Sequence, residues 1–173
     1  VALPLLGATV KVVECLDGEI YAGGDFTNAS GDFNADGIAH FTGTGWEAVG
    51  AGFDIPTSVE TMLVEPTGIY AGGPFYYNNG NERQLNRIAH WSPSRWTDLG
   101  ISLNASVYAV AISGGNLYLG GAFTDAGSPG NDYLIFWDGS TWHPASPGGP
   151  VYALEPYGEG VLVGGDFVDA NQD

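Results

Sequence analysis

Ala22-Gly23-Gly24-Asp25-Phe26, Ala71-Gly72-Gly73-Pro74-Phe75, Leu119-Gly120-Gly121-Ala122-Phe123 and Val163-Gly164-Gly165-Asp166-Phe167 repeat one pattern: an apolar residue, two glycines, a variable residue and phenylalanine. The first glycines lie 49, 48 and 44 residues apart, the length of one four-stranded propeller blade. An apolar segment leads into each pair, opening at Val10, Val59, Val107 and Val151 with the same three spacings. Three copies are followed by an aromatic residue and a tryptophan with four residues between them: Phe41 and Trp46, Trp91 and Trp96, Trp137 and Trp142.

Alternation and β-rich composition place four short strands in the first repeat, Val10 to Leu16, Glu19 to Phe26, Ile38 to Phe41 and Trp46 to Gly50. Asp17-Gly18, Thr67-Gly68 and Gly114-Gly115 stand where a tight hairpin needs positive φ. A glycine pair inside a strand implies that neighbouring backbone or a large ring packs where no Cβ stands, and the recurrent tryptophans are the expected rings. With 28 glycines, 10 prolines and no long apolar stripe at helical spacing, the chain reads as all-β. The expected fold is a β-propeller of four-stranded blades repeating every 44–49 residues, with three full blades and split parts of a further one. Its parts are an outer strand at 1–6, blades at 7–56, 57–104 and 105–149, and a half blade at 150–173, forming one propeller domain or propeller segment. Three arrangements accommodate the split blade: a piece of a longer propeller, a ring joining both ends, or completion by another chain.

The glycine pair after an apolar strand, with the later aromatic and Trp, resembles the kelch repeat and kelch-like propellers of the secreted or cell-surface type. Ile20-Tyr21-Ala22-Gly23-Gly24-Asp25-Phe26-Thr27 and Phe136-Trp137-Asp138-Gly139-Ser140-Thr141-Trp142 carry the likeness, which spans nearly all of the chain. The aromatic-to-Trp interval is one residue shorter than in the commonest kelch form, so adaptor functions of intracellular kelch proteins do not transfer. Because propellers host enzymes, adaptors and adhesins alike, the likeness implies a fold and no single activity.

The net charge is −16, from 20 acidic residues against Lys11, Arg83, Arg87 and Arg95. That surface argues against nucleic acid and anionic lipid as partners, and the sequence holds no apolar run long enough to span a bilayer. An extracellular or cell-surface setting fits this charge. Cys15, alone on an inner-strand pattern, is expected to be a buried and inert thiol. No copper-oxidase pattern of Tyr and His surrounds it.

His40 and His90 hold one repeat position, which is Phe136 in the third repeat, so the slot reads as packing between blades rather than metal ligation. His143 has no evident partner in the sequence. Asp32, Asn34 and Asp36 precede Gly37 as oxygen ligands precede the turn glycine of a calcium loop. The closing carboxylate is missing, since Gly43 and His40 stand at the places that would supply it, although Asp25 and Asn28 could complete a calcium cage. Ordinary Asx turns explain the same residues. Tyr76, Tyr77, Asn78, Asn79 and Asn81 form a loop cluster suited to carbohydrate or protein contact. Asn28-Ala29-Ser30 and Asn104-Ala105-Ser106 are glycosylation sequons.

These features point first to a non-enzymatic extracellular scaffold or adhesion module, completed or polymerised by strand addition between chains into a homo-oligomer or polymer. The alternatives are a filament or surface-layer subunit, and a glycan-acting hydrolase or lyase using acids such as Asp25 and Asp166. Pro74 and Ala122 at the same repeat position weaken the enzyme reading.

Overall fold

A computed structural model describes residues 6–54, 57–78, 83–92, 94–127, 130 and 132–167. The chain divides into two compact units, Val1–Leu99 and Gly100–Asp173. The first unit holds strands β1 (Val10–Leu16), β2 (Glu19–Gly24), β3 (Ile38–Phe41) and β4 (Trp46–Ala48), paired antiparallel in that order. Beside them is a second such sheet of β5 (Thr61–Glu65), β6 (Gly68–Gly72), β7 (Ile88–Ser92) and β8 (Arg95–Asp98). The second unit holds β9 (Val107–Ser113), β10 (Asn116–Gly121), β11 (Leu134–Trp137) and β12 (Trp142–Pro144) as a third sheet. Its remaining strands, β13 (Val151–Tyr157) and β14 (Gly160–Gly165), form a two-stranded sheet. The fold is thus all-β, with three blade-type sheets of four strands and one of two among the described residues.

Within the first repeat, the strand expected to reach Phe26 ends at Gly24, and that expected to reach Gly50 ends at Ala48. At Gly24 the chain turns because the Asp25 N–H donates to the Thr9 carbonyl at 3.1 Å, and Gly50 takes a left-handed φ of 69°. The hairpin turns follow their residue types. Asp17 and Gly18 are both at positive φ, as are Gly114 and Gly115, whereas in the second repeat Gly68 alone is. The expected outer strand at Val1–Leu6 lies outside the described residues apart from Leu6, which packs on the first blade's cluster of Ala22, Phe26, Ala29, Ala35, Ala39 and Trp46.

Why the second glycine of each pair recurs is plain from its surroundings. A Cβ on Gly24, Gly73, Gly121 or Gly165 would lie 2.1–2.2 Å from the carbonyl oxygen of Thr9, Ser58, Ser106 or Pro150, the residue just before the valine that opens the repeat. The same carbonyl then accepts the N–H of Asp25, Ala122 or Asp166, at 2.9–3.1 Å; Pro74 has no N–H to give. This close approach locks the two inner strands of each blade together. The motif phenylalanines Phe26, Phe75 and Phe123 are fully buried.

Neighbouring backbone therefore accounts for the second glycine, and the expectation that tryptophan rings cover the pair is overturned. The rings lie elsewhere: in the second blade, Trp91 and Trp96 close on Gly50, where an added Cβ would be 2.4 Å from Trp91 Cζ3 and 3.0 Å from Trp96 Nε1. Trp96 Nε1 donates to the Val49 carbonyl at 2.9 Å, and its ring lies 4.8 Å from that of Phe53. Phe53 in turn stacks on Phe75 at 4.1 Å. These rings centre the core that joins the first unit's two sheets.

Candidate functional site

In two of the pairs the first glycine is a seat for the valine that opens the next repeat. A Cβ on Gly23 would stand 2.7 Å from Cγ1 of Val59, and one on Gly120 would stand 2.4 Å from Cγ1 of Val151. The knob is thus the valine that opens the following blade. A second knob lies three residues on, where Met62 and Val110 are buried and Leu154 reaches to 3.5 Å from the same Gly120 position. Among the described residues, two faces of this series have no such partner. Gly164 meets nothing nearer than Ala153 Cβ at 3.5 Å, and Leu162 on the same strand is 56% exposed. At the other extreme Val10 is 40% exposed and Val13, in the Met62 position, is 57% exposed.

The exposure of β1 also corrects the reading of Cys15, which is exposed rather than buried. It alternates with Glu14 and Leu16 and lies on the Val13 side of the strand. Only the opposite side of β1, with Val12, packs toward the second sheet.

Between the blades of the first unit, two grooves meet at Trp91 and Gly50. One, of about 490 Å³, is lined by Asp17, Glu19, Glu65, Tyr21 and His40 among others. His40 stacks on Tyr21 at 4.8 Å and contacts the Glu19 carboxylate. Burial, and then the Glu19 charge, raise the Tyr21 phenol above its ordinary pKa. The other groove, of about 500 Å³, is lined by Asn34, Gly50, Ala51, Asn78, Arg83, Trp91, Ser94, Arg95 and Trp96, with no carboxylate among the described residues.

The histidine slot is a stacking position. His40, His90 and Phe136 lie opposite Tyr21, Tyr70 and Tyr118 in register, with ring centroids 4.8, 4.5 and 5.4 Å apart. His143 stacks on Phe136 at 4.9 Å and pairs with Asp138 at 2.7 Å. Asp138 also accepts the N–H groups of Ser140 and Thr141, and these bonds, with His143, hold its carboxyl well below the usual carboxylate range.

Among the described residues the buried His90 Nε2 has no hydrogen-bond partner, and burial lowers the pKa of the ring from 6.5. The unfolded chain therefore binds the proton first as pH falls. Stability from this residue is full above about pH 6.5 and declines below it until the folded pKa is passed. Tyr70 faces the ring, and Glu65 is the charge that acts on that phenol. Melting curves at about pH 7.5 and 5.5 should show a smaller acid loss in His90→Phe than in the parent, and equal losses would remove His90 as the source.

The residues of the expected calcium loop are engaged with backbone. Asp32 accepts the N–H of Asn34 at 2.9 Å and of Ala48 at 3.3 Å, and Asp36, buried, accepts the N–H of Asn28 at 2.8 Å. Asp25 accepts the Thr9 N–H at 2.9 Å. Among the described residues no group of three or more His, Cys, Asp or Glu side chains comes together as a metal site.

In the loop cluster, Tyr76 and Tyr77 lie 5.8 Å apart, their N–H groups share Asp54 Oδ1, and Arg87 sits 5.0 Å over the Tyr76 ring. Asn78 is buried and accepts the Arg83 N–H at 2.6 Å. Asn79 and Asn81 lie outside the described residues. Of the sequon asparagines, Asn28 is exposed in a left-handed conformation. Asn104 Nδ2 donates to Thr124 Oγ1 at 3.0 Å while its Oδ1 accepts the Thr124 N–H.

The sequence pattern does not single out Arg83 and Arg95 as groove residues, or Val13 and Leu162 as exposed apolar positions. Two signals were available: the scarcity of cations, and the alignment of Val13 with Met62. Comparison with protein-family models, curated proteins and solved structures finds no match.

Proposed function

We propose that this chain is a non-enzymatic scaffold and adhesion module of the extracellular type, and that it works by joining further copies of itself blade to blade. The observation that carries the reading is the unfilled pair in the knob-and-seat series, Gly164 with Leu162 on one sheet and Val10 with Val13 on another. The repeat already uses this contact within the chain, at Gly23 with Val59 and at Gly120 with Val151. A second copy brings the complementary surface in the geometry that the repeat has built twice. Burying a valine or leucine contributes about 1.5–3 kcal/mol, enough for a few such knobs to drive association. Such a contact is heterologous, because one surface meets a different one, and it propagates rather than stopping at a pair. The acidic surface and the exposed sequon at Asn28 support an extracellular setting.

Light scattering over a concentration series tests the reading. The parent should grow in mass with concentration, whereas Val13→Asp and Leu162→Asp, each folded by circular dichroism, should stay at 18.0 kDa. An equimolar mixture of the two variants retains one intact surface of each kind and should stop at a heterodimer. A parent mass that stays monomeric at every concentration, or a mixture that remains monomeric, would overturn it.

A further inference from the structure

Of the four Lys and Arg residues in a chain with 20 acids, two line a single groove. We propose that this groove, bounded by Arg83, Arg95 and Trp91, is a binding site for a carboxylated sugar, a hexuronic acid residue. The two guanidinium groups hold its carboxylate, and its ring lies against the tryptophan.

The other two cations are already committed. Lys11 pairs with Glu60 at 2.7 Å, and Arg87 donates to the Pro74 carbonyl and sits over Tyr76. Among the described residues, Arg83 and Arg95 have no such side-chain partner, and both are exposed at the groove. A guanidinium presents a planar fork of donors that matches a carboxylate. Arg83 is held at the lip by its backbone, which exchanges two hydrogen bonds with the buried Asn78: Arg83 N–H to Asn78 Oδ1 at 2.6 Å, and Asn78 N–H to the Arg83 carbonyl at 3.1 Å.

The remaining lining selects the rest of the ligand. Trp91 is half-buried, lies 5.4 Å from the Trp96 ring and abuts Gly50, so a rigid aromatic wall stands beside the charges. Such a wall suits the apolar face of a pyranose, and Asn34 and Ser94 on the lining suit its hydroxyls. A volume of about 500 Å³ falls in the range of small-ligand pockets.

Charge sets the limit on ligand size. Across Trp91 the neighbouring groove carries Asp17, Glu19 and Glu65, and the chain as a whole is at −16. A polyanion is repelled by those surfaces, whereas one carboxylate on an otherwise neutral polyhydroxyl ring meets the arginine side, whose described lining carries no acid. The same argument disfavours an acidic peptide, which brings several charges and no ring face.

Titration of the full chain with the methyl glycoside of glucuronic acid, followed by tryptophan fluorescence and ligand-observed NMR, tests the site. The neutral methyl ester of the same sugar is the control. The acid should saturate, and the ester should bind at least about tenfold more weakly, as should the acid to folded Arg83→Gln or Arg95→Gln. Equal binding of acid and ester, unchanged binding by both arginine variants, or equally tight binding of a triglutamate peptide would each overturn the proposal. The site lies within the Val1–Leu99 unit and does not use Val13 or Leu162. Its failure and the failure of blade-to-blade association are therefore read separately.

Discussion

Gly121→Ala is expected to destabilise the Gly100–Asp173 unit by about 3 kcal/mol or more, while Gly164→Ala changes stability by no more than about 0.5 kcal/mol. Both replace a glycine of the same repeated pair by the smallest side chain. At Gly121 the new methyl would lie 2.2 Å from the Ser106 carbonyl oxygen and 3.0 Å from the Phe123 ring. A backbone oxygen cannot swing aside as a flexible side chain does. It also accepts the Ala122 N–H at 3.1 Å, so any retreat breaks the bond that fixes β9 beside β10. At Gly164 the nearest atom is 3.5 Å away, an ordinary contact, and alanine restricts the unfolded chain more than glycine does.

Gly120→Ala should fall between them, since it clashes with the Val151 side chain at 2.4 Å, and Val151→Ala in the same chain should recover part of the loss. Denaturant unfolding followed by the fluorescence of Trp137 and Trp142 measures all four variants. A Gly121→Ala protein that unfolds with the parent would refute the carbonyl-approach account of the motif.

Trp96→Ala should cost the Val1–Leu99 unit about 3–5 kcal/mol. The indole is buried, touches Phe53 and Trp91 and donates to the Val49 carbonyl at 2.9 Å. Truncation leaves a cavity among packed rings together with an unpaired buried carbonyl. Trp96→Phe keeps most of the ring volume and loses mainly the hydrogen bond, so about 1–2 kcal/mol is expected. The equivalent change in the third repeat, Trp142→Ala, should be milder, because Trp142 is only partly buried. Urea midpoints for the three variants settle the order, and a Trp142 effect as large as that of Trp96 would contradict it.

The motif spacing was enough to place the strands, because a blade is a local object: four strands joined in sequence order, each bounded by its own turn residues. β1 and β3 begin and end where alternation puts them, at Val10–Leu16 and Ile38–Phe41. The histidine slot was legible as a packing position, since Phe136 takes the place of His40 and His90, but the ring that each meets is a tyrosine on the neighbouring strand of its own blade rather than a residue of the next blade. What surrounds a side chain was less legible. Cys15 follows the same alternation as buried strand residues elsewhere, but the side of β1 that bears it is exposed among the described residues. Arg83 and Arg95 are 12 residues apart in sequence and meet Trp91 only because β7 and β8 pair beside the loop that carries Arg83.

By itself, then, the sequence determined the blade: its period, its strands, its turns and the need for glycine at fixed places. These depend on backbone geometry and alternation, which adjacent residues carry with them. The tertiary structure alone decided what these glycines accommodate, a carbonyl oxygen at the second of each pair and, at Gly23 and Gly120, a valine of the next blade. It also decided which knobs and seats stay unfilled and which charges share a groove. Those are contacts between segments 15 residues apart at the second glycine and 31–36 apart at the first, and burial and electrostatics are set by what packs opposite a residue, which its neighbours in sequence do not encode.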